Sequence, residues 1–309
     1  MSVSIRHLRH QAPVIGAMWG ELLRLQVRRF LPKGQVPPMP GPDLEAIVPP
    51  RPGRLIDDLI EWSGGDRAAW GDQLPFYLHP QWGFPLAVPT LRGLPFPMSR
   101  ALNVGCTTTM HAPIPRDQPL TLRARLDAID QTDRRVLLHQ KLWTGPAGNS
   151  GALEVDYQVL VPLPRPAGAP RGEKPHRPHV PEGAQEIARW SNGPNAGLEF
   201  ALLTGDFNPI HWIAPAARIA GFKGQILHGF GSAARTAEAL IRHQCGGQPG
   251  RLESLSMRFT HPVALPSDAA LFIEEDGSFT VGLEPGGVAF FAGTYRVRES
   301  LHTTPGVTP

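Results

Sequence analysis

In the stretch TGDFNPIHW, Thr204 to Trp212, an aspartate and a histidine flank Asn-Pro. Proline pushes the residue before it out of helical geometry, so the chain has to turn between Asp206 and His211. Asn208 can tie its side chain to nearby backbone and fix that turn. Gly205 allows a dihedral or a close approach that other residues resist. A carboxylate and an imidazole aimed at one point can share a water, take its proton and return one elsewhere. The competing reading is a plain Asx turn with a surface histidine, and the loop alone does not decide between them.

A second stretch, ILHGFGSAARTAEALI, follows shortly. His228-Gly229 precedes an Ala-rich helical pattern that CGGQPG stops. The free N–H groups and positive dipole end of such a helix start form a site for a developing oxyanion. Gly229 has no side chain to block a ligand carbonyl, although glycine is also a common helix N-cap. An acid–base pair plus an oxyanion donor is the equipment for adding water across an α,β-unsaturated thioester.

These residues must be held by a scaffold, and its strands are legible. Leu255, Met257 and Phe259 alternate with Ser256, Arg258 and Thr260, a strand pattern. AALFIEEDGSFTVGLEPGGVAFFAGTYRVRE then gives strand, turn, strand, turn, strand. PLTLRARLDAIDQTDRRVLLHQKLWTGPAGNSGALEVDYQVLV has the same rhythm earlier in the chain. Each meander is introduced by a related segment, MHAPIPRDQPLTLRARL from Met110 and THPVALPSDAALFIEE from Thr260. The pair is a modest sign of internal duplication. A helix followed by an antiparallel sheet indicates an α+β unit. The equivalent place in the first half, HPQWGFPLAVPTLRGLPFP, holds too many prolines for a regular long helix.

The chain has 309 residues with 33 Gly and 35 Pro, enough for one large or two moderate domains rich in turns. The formal charge of +3 suits an anionic small ligand. It is too weak and too dispersed to indicate nucleic acid. Cys106 and Cys245 stand far apart and make neither a zinc spacing nor a disulfide scaffold, which fits a reducing cytosol. No apolar run approaches the ~20 residues of a membrane span. Near the start, Ile15, Met18, Trp19, Leu22 and Leu25 share one helical face. That segment reads as a helix docked on the body; a membrane-surface helix is the alternative. HExxH, GxSxG, P-loop and dinucleotide fingerprints are absent from the sequence. His79, His111 and His261 sit beside prolines or strand starts and read as structural.

FALLTGDFNPIH, Phe200 to His211, followed by AGFKGQILHGF, resembles the hydratase-2 signature of the MaoC-like, (R)-specific enoyl-CoA hydratase family. LPFYLHPQWGFPLAVPTLRGLPFPMSRALNVG resembles the degenerate N-terminal half of two-hotdog dehydratases. The resemblance implies a double hotdog in which antiparallel sheets wrap helices and the first half is degenerate. It implies a catalytic dyad of Asp206 and His211, Asn208 as loop positioner and the Gly229 amide in the oxyanion hole. Gly205, Phe222, His228, Arg218 and Lys223 are weaker substrate-binding candidates, and solvated surface charge is the plainer reading of Arg218 and Lys223. The expected boundaries are 1–45 for an N-terminal helix and Pro-rich arm and 46–163 for the degenerate hotdog. A Pro-rich linker at 164–183, the catalytic hotdog at 184–300 and a tail at 301–309 follow. The expected activity interconverts trans-2-enoyl and (3R)-3-hydroxyacyl thioesters of CoA or acyl carrier protein. No metal or redox cofactor, nucleic acid or membrane span is expected, with a cytoplasmic location and room for a homodimer. A hotdog thioesterase and a non-catalytic acyl-thioester binding subunit stay open as alternatives. The first would release free thiol; the second would leave the enoyl absorbance unchanged.

Overall fold

The computed structural model describes residues 3–28, 34–164 and 177–299. The expected linker at 164–183 lies largely outside these residues, and so does the tail after Glu299.

In chain order the first half runs α1 (Ala12–Arg28), β1 (Leu44–Val48), α2 (Gly53–Trp62), α3 (Arg67–Trp70) and α4 (His79–Ala87). The strands β2 (Leu102–Met110), β3 (Leu120–Gln131), β4 (Arg135–Gly145) and β5 (Leu153–Pro162) complete it. The second half runs β6 (Gln185–Asn192), α5 (Ala196–Thr204), α6 (Ala214–Ile219) and α7 (Gly229–Gln244). It ends in β7 (Leu252–Phe259), β8 (Ser267–Ile273), β9 (Ser278–Gly282) and β10 (Phe291–Val297).

All strand pairs are antiparallel, and the order across the sheet is β1-β3-β4-β5-β2-β7-β10-β9-β8-β6. Read from the centre outward, each half has the same order, which is the double hotdog. The two sheets join edge to edge through β2 and β7 into one ten-stranded sheet. At that seam Thr107 and Ser256 face each other and share a hydroxyl–hydroxyl hydrogen bond of 2.9 Å. Pairing the two inner strands removes two edges that would otherwise expose unpaired amides.

The duplication is repeated in backbone detail. After β2, the His111 N–H donates to Ala152 O at 2.8 Å; after β7, the His261 N–H donates to Phe290 O at 2.9 Å. Leu74 N–H donates to Ile114 O, and Leu227 N–H to Val263 O, both at 2.8 Å. Leu74-Pro75-Phe76 therefore occupies the place of Leu227-His228-Gly229. The proline-rich stretch does form a helix, but a short one. α4 covers nine residues with Pro85 inside it and passes into a 3-10 turn at Val88–Leu91.

The second-half helix α7 is the one the sheet wraps, and ten of its sixteen residues are buried. It carries Glu238 to the interface between the halves. There the carboxylate accepts hydrogen bonds from Trp70 Nε1 at 2.8 Å and from the Tyr77 hydroxyl. Burial without such partners would be costly. Burial still raises the Glu238 pKa above its ordinary value.

The N-terminal helix docks on the body, though on a slightly rotated face. Val14 is fully buried, whereas Trp19 is 43% exposed. The rotation follows from Gln11, which is also fully buried and donates from Nε2 to Leu202 O at 2.9 Å. The side chains of Leu22 and Leu25 lie outside the described residues.

Candidate active site

The loop begins where α5 ends. Gly205 caps α5 in the left-handed region at φ 85°, and its N–H closes on Ala201 O. A Cβ there would sit 2.7 Å from Val14 Cβ, so glycine is required both by dihedral and by space. Asp206 Oδ1 accepts the Asn208 N–H at 3.2 Å, and Asn208 Oδ1 accepts the Ile210 N–H at 3.4 Å. Pro209 then opens a single 3-10 turn, Pro209–His211, that swings the imidazole back over the carboxylate.

His211 donates from Nδ1 to Ile226 O at 2.8 Å, which leaves Nε2 as an acceptor. His228 donates from Nε2 to Asp206 O at 2.9 Å, and its buried Nδ1 has no partner. One polar side-chain atom from each of Asp206, His211 and His228 lies within 4.8 Å of the other two. A water held at ~2.8 Å by two such atoms spans that separation.

Burial pushes the Asp206 carboxyl above the usual carboxylate value, against the pull of His211 and of the Asn208 amide. Burial likewise lowers His211 despite Asp206, and lowers His228 further with the help of His211. Burial thus favours the neutral form of both rings, the form in which one ring nitrogen keeps its lone pair.

α7 starts beside this cluster. Its first pairing within the helix is Ser232 N–H to His228 O, so the amides of Gly229 and Phe230 point free of the helix. No acidic residue sits in the first turn to compete for them. A Cβ on Gly229 would meet the Phe259 ring at 2.8 Å.

The cluster opens into a cavity of about 520 Å³ lined by Asp206, Asn208, His211, His228 and Gly229. The Asp206 side chain keeps 15% of its surface exposed to it. Phe222 is also in the wall. Gly205 is not; it acts one step back, as the cap that aims Asp206. Arg218 and Lys223 are exposed and lie outside the cavity walls. His111 is 54% exposed at the far end of β2. His79 is buried against the Tyr157 hydroxyl at 2.7 Å, and burial lowers its pKa to about 3. His261, read from sequence as structural, does line the cavity, as do Ser232 and Met18. The signal that could have found His261 was its place right after β7, on the same strand end as Phe259.

Among the described residues, Asp206, His211 and His228 are the three that could converge on a metal ion. Their geometry suits one poorly. The two imidazoles stack with centroids 3.6 Å apart and planes 26° apart, so their in-plane lone pairs run side by side. A tetrahedral ion needs lone pairs that meet at one point. No helix of the described residues is long and apolar enough to cross a membrane.

Residues 174–282 match the family model of the MaoC like domain. The chain is similar to 3-hydroxyacyl-thioester dehydratase X of Mycobacterium tuberculosis, 28% identical over 221 residues, 69% of this chain and 75% of that protein. It is 39% identical over 66 residues to a peroxisomal enoyl-CoA hydratase 2 of Arabidopsis thaliana, a match to 21% of each chain. Among solved structures it is similar to HtdX of Mycobacterium tuberculosis, with a TM-score of 0.63 at 23% identity, covering 82% of this chain and 100% of that one. A MaoC-like dehydratase from Phytophthora capsici gives a TM-score of 0.64 at 18% identity, over 82% and 95%. These structural likenesses speak to the fold, and the sequence matches to the domain. The chain is therefore a double-hotdog protein with a MaoC-like domain that carries the Asp206–His211 loop.

Proposed function

We propose that this chain is a hydro-lyase that interconverts trans-2-enoyl thioesters and (3R)-3-hydroxyacyl thioesters. The observation that carries the reading is the convergence of Asp206, His211 and the free amides of α7 at one end of an apolar-walled cavity. The names of the similar proteins, a hydroxyacyl-thioester dehydratase and an enoyl-CoA hydratase, support the same chemistry.

In the hydration direction a water lies between the Asp206 carboxylate and His211 Nε2. Asp206 removes one proton as the water oxygen bonds to C3 of the enoyl chain. Electrons move through C2 to the thioester oxygen, and the amide of Gly229 donates to the resulting enolate. The dyad then returns one proton to C2, so the net change is addition of one water. His211 is held in the right tautomer by Ile226 O, and His228 braces the backbone of Asp206. This chemistry calls on no metal and no redox cofactor. Asp206, Asn208, His211 and Gly229 carry it; Phe222 and His228 shape the pocket.

One chain carries one site in this reading. Pro75 and Phe76 stand where His228 and Gly229 stand in the second half, so that place has lost the histidine and gained a buried ring. The first half instead lends Phe84, Ala87 and Tyr157 to the cavity wall. That extra wall supports an acyl chain longer than crotonyl.

The carrier is CoA or an acyl carrier protein, with Arg218 and Lys223 as exposed cations near Phe222 for its phosphates. Two buried, unpaired cysteines, Cys106 and Cys245, suit a reducing compartment, and we read the chain as cytoplasmic. A homodimer is part of the same proposal, checked by sedimentation. The deciding experiment follows the enoyl absorbance of crotonyl-, octenoyl- and longer enoyl-CoA, with chiral analysis of the product. Release of free thiol with the acyl chain unhydrated would replace this reading with a thioesterase. Binding without any change in absorbance would reduce it to an acyl-thioester carrier.

A further inference from the structure

β4 presents its inward face as Val136, Leu138, Gln140, Leu142 and Thr144, all buried. Gln140 and Thr144 are the polar members of this row, and Gln140 sits in its middle between Leu138 and Leu142. It is only 4% exposed and lines the cavity. Its Nε2 lies 2.6 Å from Ala87 O and 2.7 Å from Thr90 Oγ1. The Thr90 hydroxyl spends its own proton on Ala87 O, at 2.7 Å. These contacts fix which way the amide faces. Turned over, Gln140 would set its oxygen against a carbonyl oxygen, acceptor against acceptor. The amide nitrogen must therefore face α4, and Oε1 is left with no hydrogen-bond partner among the described residues.

The place of Gln140 is also fixed. It is the direct cross-strand partner of Tyr157 on β5, so both project from the same face of the sheet. Tyr157, Phe84 and Phe230 form an edge-to-face cluster, with Phe230 to Phe84 at 5.5 Å and Phe230 to Tyr157 at 5.9 Å. Phe230 follows Gly229 directly and packs on Tyr157, the cross-strand partner of Gln140. β4 is three strand spacings from β7, which carries Phe259 beside Gly229, or roughly 14 Å along the sheet. The carboxylate and the imidazoles of the wall, Asp206, His211, His228 and His261, all belong to the second half, and the first half adds the phenol of Tyr157.

We propose that Gln140 is a specificity residue whose Oε1 accepts a hydrogen bond from a hydroxyl carried far along the acyl chain. The substrate class is then a medium- or long-chain enoyl or 3-hydroxyacyl thioester with a second, distal hydroxyl. A neutral donor is indicated because, among the described residues, no carboxylate from the first half lines the cavity to pair with a cation. The inference rests on the hydro-lyase reading above, and its site is separate from the dyad.

The test compares kcat/KM for octenoyl-, decenoyl- and dodecenoyl-CoA with their ω-hydroxy counterparts, using the full chain and Gln140→Met, with crotonyl-CoA as a short reference. At one length or more the native chain should prefer the hydroxylated thioester by about tenfold or more, because a site built around a hydroxyl rejects the analogue lacking it. Gln140→Met should reverse that preference and keep crotonyl-CoA turnover. If the variant does not fold, the preference of the native chain alone decides. Crotonyl-CoA turnover with no preference for a hydroxylated chain at any length overturns the inference and leaves the hydro-lyase reading standing. No turnover of any thioester sinks that reading, and this inference with it.

Discussion

His211 and His228 stack ring on ring, 3.6 Å between centroids, and each spends one N–H on a backbone carbonyl of the site's own loops. His211 holds Ile226, on the approach to α7, while His228 reaches back to Asp206. The two histidines thus cross-brace the Asp206–His211 loop and the helix start. Burial disfavours a charge on either ring, and a charge on His211 would disfavour one on His228 further.

Asp206→Asn keeps the shape of the loop and removes the proposed base. Turnover of an enoyl-CoA should fall by roughly 10²–10⁴. Near-native turnover in a verified preparation would remove Asp206 from the mechanism.

The same variant should be more stable than the native chain at neutral pH. Folding raises the Asp206 pKa above its ordinary 3.8, so the folded state holds that proton more tightly than the unfolded chain does. The resulting stability is present in full below 3.8 and is lost as pH rises through the raised value. An asparagine carries no such loss. Thermal melts should show a higher Tm for Asp206→Asn at pH 7, with the gap closing toward acid. An equal or lower Tm at pH 7 contradicts a buried, destabilised carboxylate.

The acid side of the kcat/KM profile should report protonation of the Asp206–His211 pair, since the reaction needs both groups unprotonated. Asp206 is shifted up from 3.8 and His211 down from 6.5, so activity should fall with decreasing pH above the usual carboxylate range. The two inflections belong to the coupled pair. A profile flat down to pH 4 would exclude this dyad as the base.

Gly229 can be tested twice, once for its amide and once for its space. Gly229→Pro deletes the donor and should cost about 3 kcal/mol or more in the barrier. Gly229→Ala keeps the donor but pushes a methyl against the Phe259 ring. Its activity should therefore return in part when Phe259 is also changed to Leu, whereas Gly229→Pro should not be rescued. Circular dichroism must accompany each variant, and a folded Gly229→Pro with unaltered turnover would clear the amide of any role.

His211→Ala should abolish nearly all turnover, while His79→Ala and His111→Ala should keep most of it. His79 is tied to Tyr157 and His111 is exposed beside Glu154, away from any carboxylate–oxyanion arrangement. Residual activity in His211→Ala that vanishes on adding His79→Ala would reveal a second site.

Much of this was written in the sequence. D-x-N-P-x-H specifies its own turn, because proline and the Asn208 side chain act within a few residues. The strand-and-turn rhythm of both meanders held for β3 to β5 and β8 to β10; burial alternates along β3 to β5, whereas β8 and β9 each bury four consecutive residues. The left-handed Gly205 was foreseeable as a helix cap for the same local reason. What only the tertiary structure decided is non-local. Pairing of β2 with β7 turns two sheets into one, and no pattern within either strand names its partner. Gln11 and Val14 reach the end of α5 and Gly205 from 191 positions away, so their role is invisible to periodicity. Gln140 reads as one polar residue in a strand until α4 takes its nitrogen and leaves its oxygen without a hydrogen-bond partner among the described residues, in a side chain that lines the cavity. Local chemistry is set by neighbours in sequence, while the shape of the acyl cavity is set by which distant surfaces the hydrophobic core brings together.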